Sequence, residues 1–133
     1  MTAILSERQV RFVEKPRIGR LGTTRADGSP HIAPVWYRYE DGDFLVLTDR
    51  GSQKHRNVQH DDRVVFCIDD ERPPYHTVLV RGRARTEAEP GPVWRLALAV
   101  HYLGDDGGRR YIEQSGNSNG VLLRILVESV AGW

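Results

Sequence analysis

Cysteine occurs once in this chain, at Cys67, so no intrachain disulfide can form and a fold of 133 residues must hold by its core alone. Cys67 sits in the short apolar run Val64-Val65-Phe66-Cys67-Ile68. It reads as a small core residue of a protein in a reducing compartment, with a redox thiol as the alternative. Lysine is almost as scarce, because only Lys15 and Lys54 stand among 19 basic residues. The five histidines, His31, His55, His60, His76 and His101, show no His-x-x-x-His spacing, and Cys-x-x-Cys is excluded, so no metal site can be read on a single element. No apolar run approaches membrane-spanning length, and Met1 to Ser6 lacks a basic stretch leading into a long apolar one. A cytoplasmic protein is therefore expected. Nor is there an excess of charge: the formal net charge of +1 argues against polyanion binding as the main task.

What is present is enough for one core. With 39% apolar residues, the chain 1–133 is expected to form a single domain. Ser6-Glu7-Arg8-Gln9 has the form of a capping box, Val10, Phe12 and Val13 give the following helix an apolar side, and Pro16 stops it. Strands are predicted near Ile18 to Thr24, Pro30 to Tyr39, Phe44 to Asp49, Val64 to Ile68, His76 to Arg85 and Val121 to Val127, with Asp-Gly turns between the first three. In the second strand neither face is plainly polar, which predicts cover on both sides, and Pro34 belongs at a bulge or an edge. The fifth should turn Val78, Val80, Gly82 and Ala84 inwards and Leu79, Arg81, Arg83 and Arg85 outwards. After Pro90-Gly91-Pro92, a helix carries Val93, Leu96, Ala97, Val100 and Leu103 at helical spacing, until Gly104-Asp105-Asp106-Gly107-Gly108 breaks it. A short helical turn at Arg109 to Gln114 and a polar segment from Ser115 to Gly120 complete the pattern. The fold class is mainly β with peripheral helices (α+β), a six-stranded antiparallel barrel.

The stretch most suggestive of chemistry is Thr48-Asp49-Arg50-Gly51-Ser52-Gln53-Lys54-His55-Arg56-Asn57, a strand end and turn that open a short helix from about Ser52 to His60. First-turn amides are unpaired donors at the positive end of the helix dipole, and Ser52 and Lys54 add a hydroxyl and a point charge suited to phosphate. A solvated basic patch of Arg50, Lys54 and Arg56 is the plainer reading. A single-stranded nucleic-acid surface using Arg50, Lys54, Arg56 and Arg63 is the other functional class, opposed by Asp61-Asp62 beside it. His31 and Tyr37 are the plausible proton donors, although the plainer reading of His31, like that of His76, is a strand residue that packs or hydrogen-bonds. Trp36 is open between core packing, subunit contact and ring stacking, whereas Trp94 and Trp133 read as packing residues.

In order along the chain, Gly22-Thr23-Thr24-Arg25-Ala26-Asp27-Gly28-Ser29-Pro30-His31, then Pro34-Val35-Trp36-Tyr37, then Gly51-Ser52-Gln53-Lys54-His55-Arg56-Asn57 resemble the pyridoxamine-phosphate oxidase-like (flavin/deazaflavin) split barrels. The likeness is greatest to the branch that uses coenzyme F420, and it fades beyond Arg85. It implies a split β-barrel of the FMN-binding type, a homodimer with a cofactor site at each subunit interface, and a phosphate held on Ser52, Gln53 and Lys54. Thr48 and the backbone of Pro34, Val35 and Trp36 would line the ring system, and Asn57 would either reach the cofactor or fix the loop. The implied activity is a coenzyme F420-dependent reductase passing hydride from the reduced deazaflavin to an activated double bond of a small organic substrate. The alternative is an FMN-binding oxidoreductase, and more remotely a non-catalytic cofactor carrier or a nucleic-acid-binding barrel.

Overall fold

Local hydrogen-bonding chemistry starts and turns the chain in its first half. The structure, a computed structural model, describes residues 4–115 and 119–133. The expectations for Met1 to Ser6 and for the Ser115 to Gly120 segment lie partly outside those residues. Helix α1 (Glu7–Val13) begins with the capping box its sequence announces: Ser6 Oγ accepts from the Gln9 N–H at 3.2 Å, and Gln9 Oε1 accepts from the Ser6 N–H at 2.8 Å. It buries Phe12 and Val13. Strands β1 (Gly19–Thr24) and β2 (Pro30–Val35) are joined by a turn in which Asp27 Oδ1 accepts from both the N–H and the Oγ–H of Ser29.

The expected second strand is two strands, so the sheet has seven rather than six. Backbone pairing stops after Val35 and resumes at β3 (Arg38–Glu40), followed by β4 (Asp43–Asp49). Within the gap the Tyr37 N–H donates to the Tyr102 hydroxyl at 2.9 Å instead of to a neighbouring strand. Helix α2 (Gln53–His60), strands β5 (Arg63–Asp69) and β6 (Thr77–Ala88), helix α3 (Pro92–Ser115) and strand β7 (Gly120–Ala131) complete the chain.

The strand order is β2-β1-β5-β6-β7-β4-β3, every pair antiparallel. Consecutive strands β2 and β3 thus occupy opposite edges, with only Trp36 and Tyr37 between them. Val35 and Arg38 can be no more than about 11 Å apart, whereas the edges of a flat seven-stranded sheet would stand about 29 Å apart. The sheet must curl until its edges meet without a ladder, which makes it a split barrel. Pro34, lacking an N–H, stands on the edge strand β2 opposite Arg20.

The barrel interior is filled by period-two alternation. Val78, Val80, Gly82 and Ala84 of β6 face inwards as expected, and Tyr37, Phe44 and Phe66 meet at the centre with ring centroids 5.2 to 5.6 Å apart. Cys67 departs from its expected core position. On β5 the inward places go to Val64, Phe66 and Ile68, so Cys67 lies half-buried on the outer face. Partial burial, with Asp69 nearby, pushes its thiol up, which opposes thiolate chemistry.

Helix α3 also corrects the sequence reading. Of the predicted break only Gly104 leaves the helical conformation, at φ 79° and ψ 174°, a left-handed φ that glycine adopts without a Cβ penalty. The apolar stripe noted in the sequence is only partly covered, Leu96 and Val100 being half-buried. Val93 is 83% exposed, and Ala97 and Leu103 are also exposed, while Leu98 and Ala99 are buried. The inward face runs Arg95, Leu98, Ala99, Tyr102, and the polar ends of Arg95 and Tyr102 disguised it in the sequence.

Candidate cofactor-binding site

Three segments remote in sequence meet at one end of the barrel. The close of β2 brings Pro34 and Val35, followed by Trp36; the close of β4 brings Leu47, Thr48 and Asp49; the first turn of α2 brings Lys54. With α3 across them they enclose a cavity of about 390 Å³. Pro34, Val35, Trp36, Thr48 and Lys54 were all singled out from the sequence. Arg95, Leu98, Ala99, Tyr111, Ile112 and Ser115 of α3 were not. No motif marks them, and the only available signal was the i, i+3, i+4 pattern of Arg95, Leu98 and Ala99.

The turn between β4 and α2 is built from hydrogen bonds. Ser52 is the N-cap of α2, its Oγ accepting from the His55 N–H at 3.3 Å and lying 3.0 Å from Thr48 Oγ1. The Ser52 N–H donates to the Asp49 carbonyl at 3.0 Å. Gly51, at φ 83°, takes the left-handed conformation that lets the chain reverse from strand into helix. Its N–H donates to His55 Nδ1 at 2.9 Å, and the Arg56 guanidinium donates to its carbonyl. By their place in the first turn, the amides of Gln53 and Lys54 have no acceptor within the helix.

Ser52, Gln53 and Asn57 do not line the cavity, the Ser52 hydroxyl being turned to Thr48 and the His55 N–H. The Gln53 side chain donates to Asn57 Oδ1 at 2.7 Å and accepts from Arg56 at 2.7 Å. Asn57 is 2% exposed and donates through Nδ2 to Thr23 Oγ1 at 2.9 Å, tying α2 to β1. Of the two roles left open for Asn57, this is the geometry of the loop-fixing one. Arg63 is bound by Asp61 through two contacts of 3.0 and 2.7 Å, and Arg56 by the turn itself, so much of the basic cluster is engaged within the chain.

The expected proton donors lie elsewhere. Tyr37 is 1% exposed, its hydroxyl donates to the Val13 carbonyl at 2.7 Å, and burial pushes its ionisation far up. A proton donor needs access to substrate, and Tyr37 has none in this arrangement. His31 is half-buried on β2 and does not line the cavity; burial, with Arg25 and then Lys54 nearby, pulls its imidazole down. The Trp36 ring lies over Tyr102 at 4.7 Å with 7° between the planes, and Tyr111 leans on it at 5.1 Å. Trp94 donates to Glu40, and Trp133 stacks on His76 at 4.0 Å.

The cavity lining thus combines two cations, Lys54 and Arg95, and the Asp49 carboxylate with the apolar side chains of Val35, Leu47, Leu98, Ala99 and Ile112, a mixture that suits a ligand with both an anionic group and a flat apolar body. Beside it, β2 is paired on one side only, so backbone groups on its open edge are available to a ring edge. Among the described residues, no group of three or more His, Cys, Asp or Glu is placed to hold a metal ion, and no helix is long and apolar enough to cross a membrane.

Known proteins are similar to this chain in sequence and fold. A reductase of 5a,11a-dehydrotetracycline and 5a,11a-dehydrooxytetracycline from Streptomyces rimosus is 35% identical over 88 residues, covering 60% of this chain and 62% of that protein. This chain thus matches less than two thirds of that relative's length. The F420H(2)-dependent biliverdin reductase of Mycobacterium tuberculosis is 26% identical over 133 residues, covering 98% of this chain and 90% of that protein. Among solved structures, a conserved hypothetical protein of Mycobacterium tuberculosis superposes with a TM-score of 0.79 at 30% identity, over 98% of this chain and 86% of the other. The family described as pyridoxamine 5'-phosphate oxidase matches residues 5–133. With that match across nearly the whole chain, a split barrel and oxidoreductase relatives, this protein belongs to the pyridoxamine 5'-phosphate oxidase family.

Proposed function

We propose that this protein is a coenzyme F420-dependent reductase acting on an activated double bond of a small organic molecule. The observation that carries the reading is the convergence of Pro34, Val35, Trp36, Thr48 and Lys54, from three separate segments, on one cavity whose lining is part cationic and part apolar. The name of the biliverdin reductase relative favours the deazaflavin over FMN.

When bound, the reduced deazaflavin supplies the hydride. Lys54 and the amides of Gln53 and Lys54 hold its phosphate, and Ser52 shapes that cradle through its bonds to Thr48 and His55. Val35 and the stacked Trp36 set the plane of the ring beside β2. Leu98, Ala99 and Ile112 of α3 exclude water from the opposite wall.

The active unit in this reading is a homodimer. Ile32, Val65 and Leu79 stand on the outer face at 69%, 44% and 39% exposure. Gly22 pairs with both Ile32 and Val65, and Cys67 with Leu79, so the three form one apolar patch across β2, β1, β5 and β6. A second copy is the occupant proposed for this face, which continues along β2 towards Pro34 at the cavity.

FMN is the second reading, because a phosphate cradle and an apolar wall serve either ring system. Purification from a host that makes both flavins and coenzyme F420, followed by mass spectrometry of what the protein retains, tests the choice. Retained coenzyme F420 supports the proposal, and retained FMN overturns it in favour of the second reading.

A further inference from the structure

His55 is the most completely enclosed polar side chain of α2 that faces the turn: it is 3% exposed, and its two ring nitrogens are treated differently. Nδ1 accepts the Gly51 N–H at 2.9 Å, so it carries no proton, and the proton of the neutral ring sits on Nε2. Nε2 is buried without a hydrogen-bond partner. The backbone N–H of the same residue donates to Ser52 Oγ, so His55 grips the turn at both Gly51 and Ser52. No role in the cofactor site was read for it from the sequence.

We propose that His55 is a positioning residue for the cofactor phosphate, its unprotonated Nδ1 fixing the Gly51 turn that leads to Lys54 on the cavity wall. The inference rests on the cofactor reading given above and adds a regulatory consequence to it. A protonated ring has N–H groups at both nitrogens, so Nδ1–H would confront the Gly51 N–H, donor against donor. The turn must then release, and the cradle loses its shape. Among the described residues, no charged group that favours the cation acts on His55. The charged group that acts on it is Arg50, and Arg56 binds the other side of the same turn. The strands α2 packs against present Leu21 and Thr23 of β1 and Gly82 and Ala84 of β6 inwards, all uncharged, while Arg20, Arg81, Arg83 and Arg85 point out. Burial first, then Arg50, pulls the His55 imidazole below its ordinary value, so the ring is neutral near neutrality and the turn is closed there.

The test compares His55→Asn with His55→Leu. The amide oxygen of asparagine can stand where Nδ1 stands and accept from Gly51, but it does not titrate; leucine fills space and accepts nothing. At about pH 8, the asparagine variant should bind coenzyme F420 within about threefold of the parent and the leucine variant about tenfold or more weakly. On acidification to about pH 5 the parent should lose affinity by at least about threefold more than the asparagine variant, ligand titration being common to both. In the ligand-free parent, the Gly51 amide resonance should move through the midpoint of the His55 ring. Equal affinities of the two variants, or a Gly51 amide indifferent to His55 titration, would overturn the proposal. A Gly51 amide that follows His55 in a protein binding neither coenzyme F420 nor FMN would overturn the cofactor reading while supporting the His55–Gly51 coupling.

Discussion

Trp36 and Tyr102 lie face to face, ring centroids 4.7 Å apart and planes within 7°, and this stack fixes the place where the barrel splits. The Tyr102 hydroxyl accepts the Tyr37 N–H at 2.9 Å and donates to the Arg17 carbonyl at 2.7 Å, while burial pushes its ionisation up to about 12. One side chain of α3 thus satisfies backbone groups at the β2–β3 break and after α1. Tyr102→Phe keeps the stack but leaves both groups without that partner, at an expected cost of about 1 to 3 kcal/mol. Denaturant unfolding measures it, and an unchanged midpoint would mean that water replaces the hydroxyl at no cost.

Lys54 and Asn57 are one helical turn apart and should fail in opposite ways. Lys54→Ala removes a cation from the cavity wall and should weaken cofactor binding by about tenfold to a hundredfold with little change in the melting temperature of the ligand-free protein. Asn57→Ala leaves Thr23 Oγ1 without this partner in a buried place and frees the half-buried Gln53 amide, and should cost about 1 to 3 kcal/mol of stability. Thermal unfolding and equilibrium binding on both variants separate the two roles. Equal melting temperatures, or equal affinities, would remove the distinction drawn between them.

The contrast between these residues also shows how far the sequence could be read. The Asp-Gly turns, the capping box at Ser6 and the alternation of β6 are local signals, and each became the element it predicts. The Gly51 to Asn57 block was legible because its chemistry is contiguous. Three things were not. The break after Val35 is met by a tyrosine hydroxyl 65 residues beyond Tyr37. The inward face of α3 carries Arg95 and Tyr102, whose polar ends hide an apolar packing stripe. Gln53 and Asn57 look like ligands by type, yet their amides bond each other, a pairing that helical spacing permits and composition does not announce.

The outer face makes a separate prediction about assembly. Val65→Glu places a charge in the middle of the Ile32, Val65 and Leu79 patch, where Val65 is already 44% exposed, so the monomer fold should tolerate it. Light scattering should report a dimer for the parent and a monomer for the variant, with cofactor affinity falling along with assembly. A parent that is monomeric and binds cofactor fully would refute the composite site.

Acid should act in two stages. Burial, as the first cause in each, pulls the imidazoles of His31, His55 and His101 below their ordinary value. The unfolded chain then takes up protons first, so the stability linked to these groups is complete above about pH 6.5 and is lost as pH falls below it towards their lowered values. Asp70 and Glu87, held down mainly by hydrogen bonds, from the Arg72 backbone N–H and the Arg124 side chain respectively, add a second loss that begins only below about pH 4. The melting temperature of the ligand-free protein should therefore decline between about pH 6.5 and 4.5 before the carboxylates take part. A flat profile across that window would show that the buried histidines do not resist protonation.

The central claim is the identity of the cofactor, and equilibrium binding of coenzyme F420 against FMN to the purified protein tests it most directly. The account predicts micromolar or tighter affinity for coenzyme F420, about 8 kcal/mol or more of binding free energy, and weaker affinity for FMN. A preference for FMN by about tenfold, or roughly 1.4 kcal/mol, would contradict it.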